Sequence, residues 1–289
     1  MVSIQAVSAT CKGEAVNLPA LPEPLPHPVV DSHCHLDATA ELSGLEPAEA
    51  LRRAAEVGVP RLVQVGCDVE SSRWAIEAAE RWDGVVAAVA LHPNDAARMG
   101  AGLAAGLEVV EGLAQHPRVR AVGETGLDFF RTPEADGQAR QRDAFAAHIA
   151  MARRHDRTLV IHDRDAHAAV LDVLDAEGPP DRIVMHCFSG DADFARACLD
   201  RGAHLAFAGP VTFKPNTHLR EALAVTPLDR LLVETDAPYL TPVPLRGRPN
   251  ASYLVPHTAR FLAAALDLEL TALCRALDRN AEVAFGGSW

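Results

Sequence analysis

The sequence predicts a single-domain α/β protein with the architecture of a (β/α)8 TIM barrel. Short apolar, β-branched runs alternate with helix-length amphipathic stretches, which is typical of βα units around a parallel sheet. Eight such units span roughly 260 residues, the usual size of one barrel. The alternative is an open doubly wound sheet, but no glycine-rich phosphate-binding loop follows any run, and eight strands would be long for it.

The elements follow one another in a regular order along the chain. Apolar runs predict strands at 28–34, 61–67, 85–91, 119–123, 158–162, 182–187, 204–209 and 231–235. Ala- and Arg-rich amphipathic stretches predict helices at 46–57, 71–82, 101–115, 137–155, 165–176, 191–201, 216–225 and 253–266. A last apolar stretch, 269–284, predicts an additional C-terminal helix.

The chain divides into a Pro-rich N-terminal extension, residues 1–27, and a barrel domain, residues 28–289. Proline occupies every second position from Pro22 to Pro28, which predicts an extended segment that packs on the domain or stays mobile. A basic region followed by an apolar one is absent from the N-terminal sequence, so we expect no secretory signal.

Composition narrows the class of protein. The net charge of −12 disfavours broad wrapping of a nucleic-acid backbone, although bound cations could reverse the sign inside a pocket. Six cysteines without a CxxC pair indicate reduced thiols and a cytoplasmic protein. We expect no membrane span, since no apolar run approaches the ~20 residues required. Nothing in the sequence indicates an obligate protein partner.

The stretch "VVDSHCHLD" ends the first predicted strand and carries two histidines with a cysteine between them and an aspartate on either side. Side chains at i and i+2 share a face, so His33 and His35 are expected to point into the barrel and Cys34 toward the helices. Asp31 is expected on the inward face, deeper in the barrel, where it could orient a histidine. Two buried imidazoles are most economically explained by a shared cation.

Other ionisable residues also fall where predicted strands end, which is the catalytic end of such barrels. They are His33, His35, His92, Glu124, His162, His186 and Asp236. Leaving His92 aside, because a lone strand-end histidine is more often a hydrogen-bonded structural residue, four histidines and two carboxylates remain. These are too many for one catalytic zinc. Two divalent cations about 3.5–4 Å apart, bridged by a carboxylate and a water, would use all six.

The motifs "DSHCHLD", "LHP", "GETGLDFF", "IHDRDA", "HCFSG", "TFK" and "ETDAPYL" together resemble the TatD family of metal-dependent hydrolases, in the amidohydrolase superfamily. The resemblance implies a TIM barrel with two metals that hydrolyses phosphodiester bonds in DNA, often from the 3′ end of single strands. It implies that the first metal is held by His33, His35 and Asp236, and the second by His162 and His186. Glu124 would bridge them; a carbamylated lysine bridge is excluded, because the chain's lysines, Lys12 and Lys214, lie elsewhere.

The chain departs from the family pattern at two places, both expected to flank the substrate cleft. Asp163 stands where the family commonly has serine, in "HDRDA". Asn250 is retained, but Ala251 and Ser252 replace the Glu-Pro that tends to follow it. The N-terminal extension also precedes the family's usual start.

The predicted mechanism is attack on phosphorus by the bridging water, with Asp236 accepting its proton as the general base. His92, Arg164 and Lys214 are candidate contacts to phosphate oxygens, although Arg164 could equally pair with an acid at a helix start. The ligand types suit Zn, Mn, Fe or Ni, with Mg in mixed sites. The expected substrate is a DNA end or a small phosphodiester.

Two other functions are compatible with parts of the sequence. The same ligands would serve an amide, ester or lactone hydrolase, including an enzyme that deacylates misacylated tRNA. A metal-stabilised binding scaffold is disfavoured, because structural zinc sites are closed by four protein ligands whereas these residues are expected at an open rim.

Overall fold

A computed structural model describes residues 17–286 and 289, and it confirms the predicted barrel. Eight parallel strands pair in chain order. Between β8 and β1, the amide of His35 donates to the Ala237 carbonyl (2.8 Å), and the amide of Asp236 donates to the His33 carbonyl (3.0 Å). The strands are β1 (Val30–Cys34), β2 (Arg61–Val65), β3 (Val85–Val89), β4 (Val119–Asp128), β5 (Thr158–Arg164), β6 (Ile183–Met185), β7 (Ala203–Phe207) and β8 (Leu231–Val233).

Helices follow the strands and cover the outside of the barrel. The nine predicted helices are present with small shifts of their ends, and two short helices, α1 and α4, were not predicted. The helices are α1 (Leu36–Ser43), α2 (Pro47–Glu56), α3 (Val69–Arg81), α4 (Pro93–Met99), α5 (Leu103–Ala114), α6 (Ala135–Arg154), α7 (His167–Glu177), α8 (Ala192–Leu199), α9 (Thr217–Val225), α10 (Val255–Ala265) and α11 (Leu270–Phe285). No helix in the described part of the chain is long and apolar enough to cross a membrane.

The barrel interior is filled by small β-branched and alanine side chains and is closed at one end. Val63, Val86 and Val160 belong to this interior cluster. Phe285 and neighbouring alanines of α11 pack against it, and the Thr158 hydroxyl at the start of β5 donates to the Ala284 carbonyl (2.5 Å). Because α11 covers the amino ends of the strands, the carboxyl ends form the open face.

A bulge in β1 sets the direction of its side chains. Asp31 pairs with Leu62 but Cys34 pairs with Gln64, so β1 has one extra residue between these two positions. Cys34 packs in the outer cluster, as predicted. The inward placement of Asp31 was wrong: its neighbour Val30 belongs to the interior cluster, and the Asp31 carboxylate accepts from the amide and hydroxyl of Thr235 (2.8 and 2.6 Å). The prediction failed because it assumed strict alternation through the bulge.

The described part of the N-terminal extension packs on the barrel domain. The Tyr253 hydroxyl donates to the Pro19 carbonyl (3.0 Å), and the Leu25 amide donates to the Val57 carbonyl (3.0 Å). Of the two predicted states, residues 17–27 therefore adopt the packed one. Residues 1–16, with Cys11 and Lys12, lie outside the described part. The five described cysteines are free thiols, as expected.

Candidate metal centre

All six residues predicted as metal ligands meet at the carboxyl end of the barrel, around Glu124. This glutamate is almost fully buried. Its Oε2 lies 3.2 Å from His33 Nε2 and 3.8 Å from His35 Nε2. Its Oε1 lies 2.7 Å from His162 Nδ1 and 3.4 Å from His186 Nε2. The two oxygens of one carboxylate thus face two different groups of imidazoles.

Asp236 completes the group that faces Oε2. Its Oδ1 lies 3.6 Å from His35 Nε2 and 3.9 Å from His33 Nε2. The backbone of Asp236 is left-handed, with φ of 53°, which is uncommon for a residue other than glycine. Strained backbone of this kind is concentrated at functional sites, where the surrounding structure holds it.

Hydrogen bonds on the far side of two imidazoles fix which ring nitrogen faces the centre. Nδ1 of His35 donates to the Val65 carbonyl (3.0 Å), and Nδ1 of His186 donates to Glu234 Oε1 (3.0 Å). Because each Nδ1 donates its proton away from the centre, Nε2 is the nitrogen that would offer its lone pair to a bound cation. Glu234 is fully buried, and it also accepts from the Cys187 amide (2.6 Å).

His33 shows that the residues present fit a metal. Both of its ring nitrogens are buried, and neither makes a hydrogen bond of normal geometry to any described residue. Its ring stacks on that of His186 with centroids 3.6 Å apart. Burial, reinforced by the neighbouring His186, lowers the pKa of His33, which favours the neutral form that binds metals. An orphaned, neutral imidazole in this position is suited to coordination.

Donor atoms that lie within 4.8 Å of one another form three groups in the described part of the chain. One contains His33, His35 and Glu124, and a second contains His33, His186 and Asp236. The third contains His92, Glu124 and His162, which adds His92 to the donors. The site therefore offers more donors than one cation needs.

Asp128, which the sequence analysis did not select, contacts His162 of the third group. Asp128 Oδ2 lies 3.5 Å from His162 Nε2 and accepts from Asn94 Nδ2 (3.0 Å). Burial opposes protonation of His162, but hydrogen bonds with Asp128 and Glu124 outweigh it and raise its pKa to about 9. Gly126 allows β4 to lie close to β5 at His162, since a Cβ at residue 126 would be 2.1 Å from the His162 carbonyl oxygen. Its φ of 133° also favours glycine.

The three predicted substrate contacts occupy different surroundings. His92 lies within the cluster, with Nε2 3.2 Å from Glu124 Oε1, and its Nδ1 accepts from the Asn94 amide at the start of α4. Arg164 ends β5, where its guanidinium lies over the ring of Phe130, 4.0 Å from the ring centre. Lys214 is exposed in the loop before α9.

The departures from the family pattern have contacts within the fold. Asp163 accepts from the Ala166 amide (3.2 Å) and pairs with the side chain of His167, the first residue of α7. Asn250 donates to the Thr235 carbonyl (3.0 Å), and Ala251 is fully buried after it. None of these hydrogen bonds involves one of the six predicted ligands.

Sequence reasoning missed Glu234 and Asp128, although the strand period contained a signal for both. Glu234 precedes Asp236 by two residues in "VETD", the same spacing as His33 and His35. Asp128 follows Glu124 by four residues in "GETGLD", which also keeps one face of a strand. The spacing of Glu124 and Asp128 was not recognised because the fourth strand was predicted to end at residue 123, whereas β4 continues to Asp128.

An eight-stranded barrel with imidazoles and carboxylates clustered at its open end defines the class of metal-dependent hydrolases. The chain belongs to the TatD related DNase family, whose model matches residues 30–286. It is 46% identical over 265 residues to the metal-dependent hydrolase TatD of Mycobacterium tuberculosis, covering 90% of this chain and 99% of that protein.

Two further similarities agree with this membership. The 3′-5′ ssDNA/RNA exonuclease TatD of Cronobacter turicensis is 37% identical over 243 residues, covering 81% of this chain and 89% of that protein. The crystal structure of YJJV, a TatD homolog from Escherichia coli K12, superposes with a TM-score of 0.81 at 28% identity, covering 90% of this chain and 98% of the other.

Proposed function

We propose that this hydrolase binds two divalent cations and cleaves phosphodiester bonds at the ends of single-stranded DNA. One observation carries the proposal: the two carboxylate oxygens of Glu124 face different groups of imidazoles. A carboxylate in this arrangement can bridge two cations. The exonuclease name of the Cronobacter turicensis relative supports single-stranded nucleic acid as the substrate class.

The ligand assignment follows the two sides of Glu124. His33, His35 and Asp236 would hold the first cation, and His162 and His186 the second, with Glu124 shared by both. His92 is a further donor on the second side. The imidazole and carboxylate donors suit Zn, Mn, Ni or Mg as the ions.

When bound, two cations would lower the pKa of a shared water and neutralise charge on the phosphate. Asp236 would accept the proton, because its Oδ1 faces His33 and His35 and its side chain is 13% exposed, more than Glu124 at 6%. Glu124 is held ionised: burial favours its neutral form, but the neighbouring His186 and His92 outweigh burial and lower its pKa well below the usual range.

The wider setting completes the proposal. Residues 28–289 would form the catalytic domain, with residues 1–27 as an extension whose described part, residues 17–27, packs on it. The free thiols of the described cysteines are compatible with a reducing compartment, and we place the protein in the cytoplasm.

The test compares three substrates with one metal-loaded preparation: end-labelled single-stranded DNA, a covalently closed single-stranded circle, and a simple ester or lactone. We expect mononucleotides from the labelled strand, no cutting of the circle, and loss of activity in chelator. Metal analysis should give about two ions per chain. Ester or lactone hydrolysis without cleavage of DNA would reassign the substrate, and a firm single ion would exclude the bridged pair.

Asp236→Asn should abolish turnover, because the change weakens one ligand and removes the proton acceptor. Asp156→Asn is a matched control: Asp156 also has a left-handed backbone, but it precedes β5 at the opposite end of the barrel with its side chain 82% exposed. Equal loss in both variants would show a general effect on folding.

A further inference from the structure

Two large aromatic side chains are exposed at the catalytic end of the barrel. In the described chain, the exposed large hydrophobic residues include two aromatics, Phe130 (58% exposed) and Tyr239 (50%). Phe130 follows Asp128 by two residues, and Tyr239 follows Asp236 by three. The aliphatic members of this group include Val283 on α11, at the closed end. Exposed aromatic surface is therefore concentrated at the centre.

Phe130 is held in place by the strand ends beneath it. Asp128 of β4 pairs in register with Arg164 of β5, and the Phe129 amide donates to the Arg164 carbonyl (3.0 Å). The Arg164 guanidinium lies 4.0 Å from the centre of the Phe130 ring, a cation–π contact. Arg164 follows His162 by two residues on β5, so the pair lies at the same strand end as the second group of imidazoles.

The geometry points to the Phe130–Arg164 pair as a stacking platform for a nucleobase of the single strand whose terminal phosphodiester lies at the metal centre. This inference rests on the proposed function and adds the part of the substrate that is recognised. Phe130 contributes a flat ring with more than half of its surface free, and Arg164 contributes a planar cation that stabilises the ring and attracts the anionic backbone.

A base fits this surface better than a peptide or an aliphatic acyl group. Stacking on aromatic side chains is how proteins hold single strands without reading their sequence, because every base has a π face. It also suits an acidic protein, since stacking needs no extended basic groove, and the net charge of −12 argues against one. The platform would hold the strand end while the centre holds the phosphate.

The first experiment measures kcat/KM on two single strands that differ at the 3′ end, one with a normal nucleotide and one with an abasic nucleotide. Stacking of one base contributes ~1–3 kcal/mol, so wild-type protein should prefer the base-bearing end by about fivefold or more. Phe130→Ala should remove most of this preference, mainly through KM, and Phe130→Trp should retain it. Val283→Ala, which shortens an exposed apolar side chain at the closed end, is the control and should keep the wild-type ratio.

The second experiment needs no turnover. A strand with 2-aminopurine at its 3′ end is titrated with each protein in chelator, and the fluorescence at saturation is compared. We expect quenching by wild-type protein and by Phe130→Trp, and little quenching by Phe130→Ala. Equal quenching by Phe130→Ala, absence of saturable binding, or a wild-type preference ratio near one would overturn the platform. Loss of DNA cleavage with quenching intact would instead contradict the proposed function alone.

Discussion

His35 and Cys34 are neighbours in the chain, but they face opposite sides of the barrel wall. Nε2 of His35 lies among the carboxylates, whereas Cys34 packs in the outer cluster with its thiol 3.5 Å from the Val63 carbonyl. We therefore predict that His35→Ala loses one bound metal ion per chain, while Cys34→Ala retains the wild-type content. Elemental analysis after dialysis measures both, and equal losses would show that Cys34 takes part in binding.

Glu234 acts on the centre through His186 and not through a direct contact with the other predicted ligands. Its Oε1 accepts from His186 Nδ1, and Ser32 Oγ lies 3.4 Å from its Oε2. Removing such an orienting carboxylate typically weakens metal binding ~10–100-fold. We predict that Glu234→Gln weakens binding by about tenfold, since an amide keeps the acceptor oxygen but loses the charge.

Competition with a chromophoric chelator measures the metal affinity of Glu234→Gln. Glu56→Gln is a suitable control, because its side chain is half exposed and pairs with Arg52 on α2. An unchanged affinity in Glu234→Gln would mean that the neighbouring residues fix the His186 ring without Glu234.

At the scale of elements, the sequence predicted which ionisable residues lie at strand ends better than it predicted the lengths of the strands. The runs "TLVIH" and "VRAVG" located β5 and β4, and their ends located His162 and Glu124. Pattern reasoning stopped β4 at residue 123, because "GETG" reads as a turn when hydrophobic alternation is the signal. The strand continues because its backbone pairs with β5 as far as Asp128, a long-range contact that local composition does not encode.

The bulge in β1 and the short helix α4 were missed for related reasons. A bulge is defined by the partner strand, since Asp31 and Cys34 pair with Leu62 and Gln64 across it. Helix α4 has only seven residues, begins with Pro93, and is capped by the His92 imidazole. Seven residues are too few for helical periodicity to emerge from the sequence.

The contact between α6 and β4 contains a buried histidine that makes stability depend on pH. His148 of α6 accepts from the Leu91 amide at Nε2 (3.3 Å) and donates from Nδ1 to the Thr125 hydroxyl (2.8 Å). Burial lowers its pKa from 6.5 to about 4. Between these pH values the unfolded chain binds a proton that the folded chain does not, so stability falls as the pH decreases.

We predict that His148→Gln has a lower stability at pH 7.5 but a weaker dependence on pH. Between pH 7.5 and pH 5 the wild-type protein should lose about 2 kcal/mol more free energy of unfolding than the variant, from the difference in pKa. Urea unfolding of both proteins in chelator measures this, because chelator removes the contribution of bound metal. Parallel pH profiles would show that the pKa of His148 is the same in the folded and unfolded chains.

At the scale of the whole molecule, the charges favour recognition of a strand end. The net charge is −12, and the centre lies at the one open face of the barrel. A cavity of about 330 Å³ near Asn94 is lined by three arginines, but two acids share its wall. Its lining includes Arg98, Arg131, Arg140, Glu134 and Asp136. Because its charges are mixed, this cavity does not provide a continuous basic surface along which a nucleic-acid backbone could bind beyond the metal centre.

This distribution of charge predicts a shallow dependence of DNA cleavage on salt. Each phosphate neutralised on a single strand contributes about −0.7 to the slope of log affinity against log salt concentration. If two or three phosphates near the centre are bound, kcat/KM should fall with a slope of roughly −1.5 to −2. The slope should be the same for a short and a long single strand, because the protein holds the end and leaves the rest in solution.

Measuring kcat/KM for both strands over a range of monovalent salt, at fixed divalent metal, provides the comparison. A slope several units steeper, or one that grows with strand length, would reveal phosphate contacts far from the barrel's open end and contradict end recognition.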